Sequence, residues 1–274
     1  MFKMGKNVAL VYLVAGMSSR FGGKVKQFAR VGPEDETLIE YSLRQALKND
    51  FSKIIFVVGE KTETGFLEMF GREYNGVPVF YARQEFDHRT RNNPWGTVDA
   101  LCCARDFIDC PFVVCNGDDI YGETSFKVVF DALKRNEISA TVGFKLKDML
   151  SDNCSVNRGI FEIDESGNVS GLDEVFGITK DNLTQKNLNG EELCNVNLFG
   201  FSPDVLDMLD SELELFKKNK ENSKSECLLS TELSKLIKGG LVKVKLCSTP
   251  DKWMGVTGPQ DTEVVRKTIL SQLA

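Results

Sequence analysis

Two groups of residues in this chain have types and spacing suited to chemistry on phosphates. The first is Ala15-Gly16-Met17-Ser18-Ser19-Arg20, followed at short range by Lys24 and Lys26. Small residues let backbone N–H groups approach a polyphosphate closely, and Arg20, Lys24 and Lys26 add fixed positive charge nearby. Offsetting the charge that develops on a phosphoryl group is the main task of phosphoryl-type transfer. The second group is Asn116-Gly117-Asp118-Asp119, whose two carboxylates offer the oxygen ligands that a hard Mg²⁺ ion prefers. Each has an ordinary structural explanation when taken alone. A glycine turn with a basic edge is a common strand-to-helix connection, and acidic residues often form turns after a strand. Taken together, the two groups read as a triphosphate site with a metal beside it. Two other phosphate motifs are absent: Gly23-Lys24 is followed by Val25 rather than the Ser or Thr of a Walker A loop, and Ser18 occupies the second glycine position of a dinucleotide fingerprint.

These residues need elements to hold them. Val8 to Val14 is a continuous apolar run with β-branched Val8, Val11 and Val14, suited to a strand buried on both faces of a parallel sheet. It delivers the chain to Ala15. Phe112 to Cys115 is a similar run, so Asp118 and Asp119 emerge at the C-terminal edge of the sheet, where α/β proteins bind ligands. Between them lie a helix over Thr37–Lys48, a strand over Lys53–Val58, a helix around Phe66–Phe70 and a strand over Val77–Arg83 that ends at Gln84. Such strand–helix–strand units cross over right-handed, and they place the chain in the α/β class. Pro94 fits the first turn of a helix continuing over Val98–Arg105, with Gly96 and Thr97 leaving its approach open. Further on, a helix is expected over Ser125–Lys134 and a strand over Ala140–Phe144. A hairpin follows over Arg158–Glu174, then a single strand over Cys194–Phe201 and a helix from Pro203. Ser211–Lys224 reads as a solvated charge run, followed by a helix over Cys227–Ile237, a strand over Leu241–Leu246 and an amphipathic helix over Thr262–Leu273.

The stretch AGMSSRFGG followed by KVKQF resembles the signature of the sugar-phosphate nucleotidylyltransferases, or NDP-sugar pyrophosphorylases, and in particular a bacterial branch that opens LAAGMGSRYGGLKQ. The resemblance runs through nearly the whole chain. It implies a Rossmann-like fold of GT-A type: a mixed, mostly parallel sheet flanked by helices, in a single domain over residues 1–274. Residues 1–145 would form the nucleotide-binding part, and 146–274 an acceptor-binding subregion with the C-terminal helix. By the same resemblance, Arg20 and Lys26 are catalytic, with Lys26 favoured over Lys24 because Gln27 follows it. Ala15, Gly16, Met17, Ser18, Ser19, Lys24 and Asn116 contact the nucleotide, and Gln84, Pro94, Gly96 and Thr97 surround its base. NGDDIYG resembles the branch's NADDFYG and makes Asp118 the magnesium aspartate, with Asp119 beside it. Gly159, Glu174 and Asn197 are the counterparts of acceptor-binding residues.

The implied reaction is attack by the phosphate of a small phosphorylated acceptor, a sugar 1-phosphate, on the α-phosphorus of a nucleoside triphosphate, releasing pyrophosphate. The Gln84 amide can both donate to and accept from a pyrimidine edge, so a pyrimidine triphosphate is expected. The chain departs from the family at Ser18, at the extra residue in GGKVKQ, at Asp99, and at Val175, where several sugar-specific members carry lysine. It also has Gly255 in KWMGVT where other members, reading WLDTGT, draw a second magnesium ligand; Asp251 and Asp261 are candidates to replace it. Two rival readings are a GT-A-type glycosyltransferase, which needs no basic triphosphate loop, and a non-catalytic nucleotide-binding module. Pyrophosphate release separates all three.

Composition narrows the remaining classes. A chain of 274 residues with net charge −6 and no long basic block is not built to bind nucleic acid. Eight cysteines without a Cys-x-x-Cys pair, and a single histidine, His88, argue against a zinc site or a Ser-His triad. They fit a reducing, cytoplasmic setting. No apolar stretch approaches a membrane span.

Overall fold

The computed structural model describes residues 7–16, 21–22, 24–135, 139–150, 155–256 and 258–273. The expectations placed on Met17, Ser18, Ser19 and Arg20 lie outside the described residues.

The first apolar run forms β1 (Ala9–Leu13), buried along its whole length. The nucleotide half is completed by β2 (Lys53–Val58), β3 (Glu73–Tyr74), β4 (Val77–Arg83) and β5 (Phe112–Asn116). Helices α1 (Leu38–Ala46), α2 (Glu63–Phe70) and α3 (Thr97–Cys103) connect them. β1 lies between β2 and β5 and is parallel to both, with Leu10 level with Ile54 on one side and Val113 on the other. Side chains alternate across a strand, so successive β1 residues feed opposite cores. Leu10 and Tyr12 join Ile39, Leu43 and Phe66 of α1 and α2; Ala9 and Val11 join Val98 and Leu101 of α3. α1 begins with a capping box, in which the Thr37 backbone N–H donates to Glu40 Oε2 at 2.8 Å and Thr37 Oγ1 accepts from the Glu40 N–H at 3.3 Å.

After β5 come β6 (Asp119–Ile120), α4 (Glu123–Lys134), β7 (Ala140–Val142), β8 (Phe144–Lys145), and the hairpin of β9 (Val156–Ile163) and β10 (Asn168–Ile178). Then follow β11 (Leu193–Asn195), β12 (Phe199–Phe201), α5 (Asp204–Lys218), α6 (Leu229–Lys238), β13 (Val244–Cys247), β14 (Met254–Gly255) and α7 (Pro259–Leu273). Among the described residues, twelve strands form one mixed sheet in the order β3-β4-β2-β1-β5-β12-β7-β13-β10-β9-β11-β8. Its parallel character is concentrated in β4-β2-β1-β5, whereas the later part is largely antiparallel. A second ribbon pairs β14 with β6 and sets Gly255 opposite Asp119. Val256, Val265 and Ile269 pack this ribbon and α7 against Ile120 and Leu38.

Several element boundaries differ from expectation; Ala140–Phe144, expected as one strand, is split between β7, which pairs with β12 and β13, and β8, which pairs with β11. Cys194–Phe201 is two strands, because Asn197 takes the left-handed conformation (φ 58°) and ends the ladder between them. β11 pairs with β9, while β12 inserts between β5 and β7. Pro94 precedes α3 instead of lying in its first turn, since Gly96 caps that helix at φ 104°. A side chain at Gly96 would strike the Cys227 backbone, with its Cβ 2.6 Å from the carbonyl oxygen, so glycine is required there twice over.

Candidate active site

The C-terminal ends of β1, β4 and β5 bring the expected residues to one edge of the sheet, where two cavities open. The first, about 280 Å³, is lined by Ala15, Gln84 and Pro94 together with Gly59, Arg83 and His88. Gln84 is 7 % exposed. Its Nε2 donates to the Gly96 carbonyl at 3.0 Å and to Asp99 Oδ2 at 2.8 Å. Asp99 is in turn bridged by Lys217 Nζ at 2.8 Å from Oδ1. Gly96 therefore stands behind Gln84, holding it, and is not part of the cavity wall. Asp99 explains its own departure from the family pattern as the anchor of that amide. Lys217, expected in a solvated charge run, instead reaches inward across the Trp95 ring (5.8 Å), which Arg91 covers at 3.5 Å.

The second cavity, about 230 Å³, gathers Thr97, Asn116, Asp118, Asp119, Gly159, Glu174 and Asn197. Residues far apart in the chain thus meet in one cavity, and Thr97, expected beside the base with Gln84 and Pro94, lines this cavity and not the first. Thr97 Oγ1 accepts the Leu229 N–H at 2.8 Å, tying α3 to the start of α6. Ser230 Oγ donates to Glu174 Oε1. Asn195 and Asn197 hold each other, with the Asn197 N–H donating to Asn195 Oδ1 at 2.8 Å.

Lys26 and Asp118 close on each other as a hydrogen-bonded ion pair, half-shielded from solvent. Lys26 begins a 3₁₀ turn over Lys26–Phe28 that buries Gln27. Lys24 is exposed and lines a separate hollow with Phe21, Val25, Phe28 and Pro259. The structure therefore joins Lys26, and not Lys24, to the acidic edge.

Asp119 differs in character from its neighbour. It is 6 % exposed; its Oδ2 accepts from Asn116 Nδ2 at 2.9 Å and lies 3.2 Å from the Tyr121 hydroxyl. Burial first, and the adjacent Asp118 charge second, push its carboxyl up to about 7, against the opposing pull of the Asn116 amide, Arg158 and Lys26. A Cβ at residue 255 would lie 2.8 Å from Asp119 Oδ1 and closer still to the Trp253 ring. The Trp253 ring and the Asp119 carboxylate together thus fill the space that a side chain at 255 would need.

Neither other candidate for a second acidic ligand lines the second cavity. Asp251 Oδ2 accepts the Ser125 N–H at 2.7 Å, satisfying an otherwise open donor in the first turn of α4. Asp261 Oδ2 accepts the Gly258 N–H at 2.7 Å at the start of α7. Mg²⁺ needs only one or two protein carboxylates when phosphates and water complete its shell, and the adjacent Asp118 and Asp119 suit it. Among the described residues no three His, Cys, Asp or Glu side chains converge into a cage.

Sequence reasoning did not single out Arg158, Asn195 or Ser230, all of which line the second cavity. The signal for Arg158 was a cation placed directly before Gly159 in an otherwise alternating strand.

The sequence profile of the nucleotidyl transferase family matches residues 23–261. The chain belongs to that family. No curated relative matches it. Among solved structures, this nucleotidyl transferase is similar to a protein assigned as a glucose-1-phosphate thymidylyltransferase from Bacillus anthracis, with a TM-score of 0.70 at 14% identity over 96% of this chain and 95% of that one. A UDP-glucose pyrophosphorylase complexed with UDP-glucose has a TM-score of 0.69 at 14% identity, over 97% and 99%. The inositol-1-phosphate CTP transferase from T. maritima has a TM-score of 0.67 at 16% identity, over 99% and 98%. At these identities the likeness establishes the fold. Among the described residues no helix is long and apolar enough to cross a membrane.

Proposed function

We propose that this nucleotidyl transferase moves the NMP group of a pyrimidine nucleoside triphosphate onto a small phosphorylated acceptor, a sugar 1-phosphate, and releases pyrophosphate in the cytoplasm. The observation that carries this reading is the Lys26–Asp118 pair, which joins the basic loop to the acidic strand end at the edge of the second cavity. Residues 1–145 hold the nucleotide, with Ala15, Gln84 and Pro94 around its base, and residues 146–274 supply Gly159, Glu174 and Asn197 to the acceptor. The phosphorylated acceptor is supported by the solved structures named above, which include proteins named for transfer to glucose 1-phosphate and inositol 1-phosphate.

In this mechanism Arg20 steadies the β- and γ-phosphates and the departing pyrophosphate. Lys26 turns from Asp118 to the α-phosphoryl group and offsets the charge that builds there. Asp118, with Asp119 beside it, would hold Mg²⁺, which would supply charge neutralisation at the phosphates. Asn116 keeps Asp119 in place by its amide donation. The acceptor phosphate is itself the nucleophile, so no covalent intermediate on the protein is needed. A pyrophosphate-release assay over a matrix of nucleoside triphosphates and phosphorylated acceptors tests the reading. Turnover is expected with UTP, CTP or dTTP and a sugar 1-phosphate. Hydrolysis of a nucleotide sugar without pyrophosphate production would favour the glycosyltransferase reading and remove this one.

A further inference from the structure

The second cavity is rich in carboxylates: Asp118, Asp119 and Glu174 all line it. Among its lining residues there is one cation, Arg158. An arginine beside three acidic groups would be expected to pair with one of them, yet among the described residues no carboxylate lies within ion-pair distance of its guanidinium. Its Nη1 donates at 3.0 Å to the carbonyl of its own neighbour, Asn157. Its Nε is buried and has no partner. The guanidinium lies over the Trp253 ring at 4.8 Å, and the indole Nε1 is also buried without a partner.

Buried donors in native proteins nearly always find acceptors. Two that lack one, stacked together at the wall of a polar cavity, point to an acceptor that arrives with a ligand. The planar guanidinium fork matches phosphate oxygens bidentately, and packing on an aromatic face fixes the plane of that fork beforehand. The other groups in the cavity suit hydroxyls. Ser230 occupies Oε1 of Glu174 and leaves the second carboxylate oxygen to accept, while the Asn195 and Asn197 amides can both donate and accept.

We infer that Arg158 anchors the phosphate of the acceptor. This rests on the transfer reading for the role of that phosphate, but the binding claim stands apart from turnover. Held by Arg158 in the cavity that Asp118 also lines, the phosphate lies beside the transfer site, and its charge is balanced before the triphosphate is attacked.

The test is a calorimetric titration of the full-length protein with glucose 1-phosphate as the probe, glucose as its uncharged control, and UTP with Mg²⁺ as the probe of the nucleotide half. The wild type is expected to bind glucose 1-phosphate saturably and glucose not detectably over the same range. Arg158→Met is expected to weaken glucose 1-phosphate binding about tenfold or more, the scale of a lost charge-assisted bidentate contact. Arg158→Lys should recover part of that loss by restoring charge without the fork. UTP binding should stay within about twofold in both variants, which also shows that they are folded. Equal glucose 1-phosphate binding in wild type and Arg158→Met would overturn the inference, as would failure of the wild type to prefer the phosphate to the sugar. Absence of pyrophosphate release alongside the expected binding pattern would instead remove the transfer reading and leave Arg158 as an anion anchor.

Discussion

The buried pair of Asp99 and Lys217 is expected to respond very differently to removal of one partner or the other. Asp99 is 8 % exposed in its side chain and Lys217 30 %. Lys217→Met leaves a carboxylate shut inside the protein with one neutral donor, the Gln84 amide at 2.8 Å. Breaking a buried pair in this way costs about 3–5 kcal/mol, and partial access of water to the lysine end brings the expectation down to about 2–3 kcal/mol. Asp99→Asn leaves a lysine that can swing into solvent, at a cost of about 1 kcal/mol. At this chain length each kcal/mol corresponds to roughly 2–4 °C in Tm. Lys217→Met should therefore melt roughly 4–12 °C below wild type, Asp99→Asn much less, and the double variant should recover much of the single Lys217 loss.

The functional half of the same prediction concerns Gln84. Both hydrogens of its amide are committed, to Gly96 and to Asp99, so Oε1 is the face it can offer to a base in the first cavity. Asn at 99 can also donate, which loosens this orientation, so Asp99→Asn should raise KM for the preferred triphosphate several-fold and narrow its lead over the other pyrimidine triphosphates, with kcat little changed. Thermal unfolding followed by circular dichroism and steady-state kinetics with UTP and CTP measure both halves. Equal melting losses in the two single variants, or unchanged base preference in Asp99→Asn, would refute the reasoning.

Lys26→Ala is expected to lower kcat by about 10²-fold or more, the scale of a lost transition-state donor, whereas Lys24→Ala should stay close to wild type in initial-rate assays. Asp118→Asn should fold normally yet lose most turnover, with its Mg²⁺ titration displaced to higher concentration. Asp119 gives a pH signature. Its folded-state carboxyl, at about 7, lies above its ordinary value of 3.8, so its contribution to stability is fully present below about pH 4 and is lost as pH rises through 7. Metal-free Asp119→Asn does not titrate there. It should gain on wild type between pH 4 and pH 7 by an amount on the order of a few kcal/mol, measured by urea unfolding. ATP or GTP used faster than UTP, CTP and dTTP in competition assays would reject the pyrimidine preference of the first cavity.

Much of the frame was legible because it depends on local pattern. Lys53–Val58 and Val77–Arg83 are strands with the expected bounds: the first is a continuous, mostly β-branched run buried from Ile54 onward, and the second an apolar run of which only Val79 and Ala82 are buried. That Lys26 and Asp118, 92 residues apart, serve one site was legible from their residue types and from the family resemblance, but their direct ion pair was not. What escaped sequence reasoning depends on contacts made across the fold. Lys217 looks like any other residue of a charged helix end until α5 packs on α3 and brings it to Asp99, 118 residues away. Asp251 and Asp261 have the right chemistry for a metal, but each accepts an open N–H at the start of a helix, a partner that their local sequence does not reveal. The strand break at Asn197 arises because the chain leaves β9 to enter the other half of the sheet, and no local preference signals that change of partner.

The position of β12 bears on how the protein is made. This strand, Phe199–Phe201, is the antiparallel neighbour of β5, so one long edge of the nucleotide half stays open until residues far downstream have left the ribosome. At about 5–20 residues per second, the gap between synthesis of β5 and of β12 is on the order of ten seconds. During that interval the nascent chain displays the unpaired backbone of Phe112–Asn116, a buried apolar strand in the finished molecule and a template for pairing with another chain. Chaperone demand during synthesis, and the yield of refolding from denaturant at high protein concentration, should therefore be governed by the arrival of three residues, Phe199, Gly200 and Phe201.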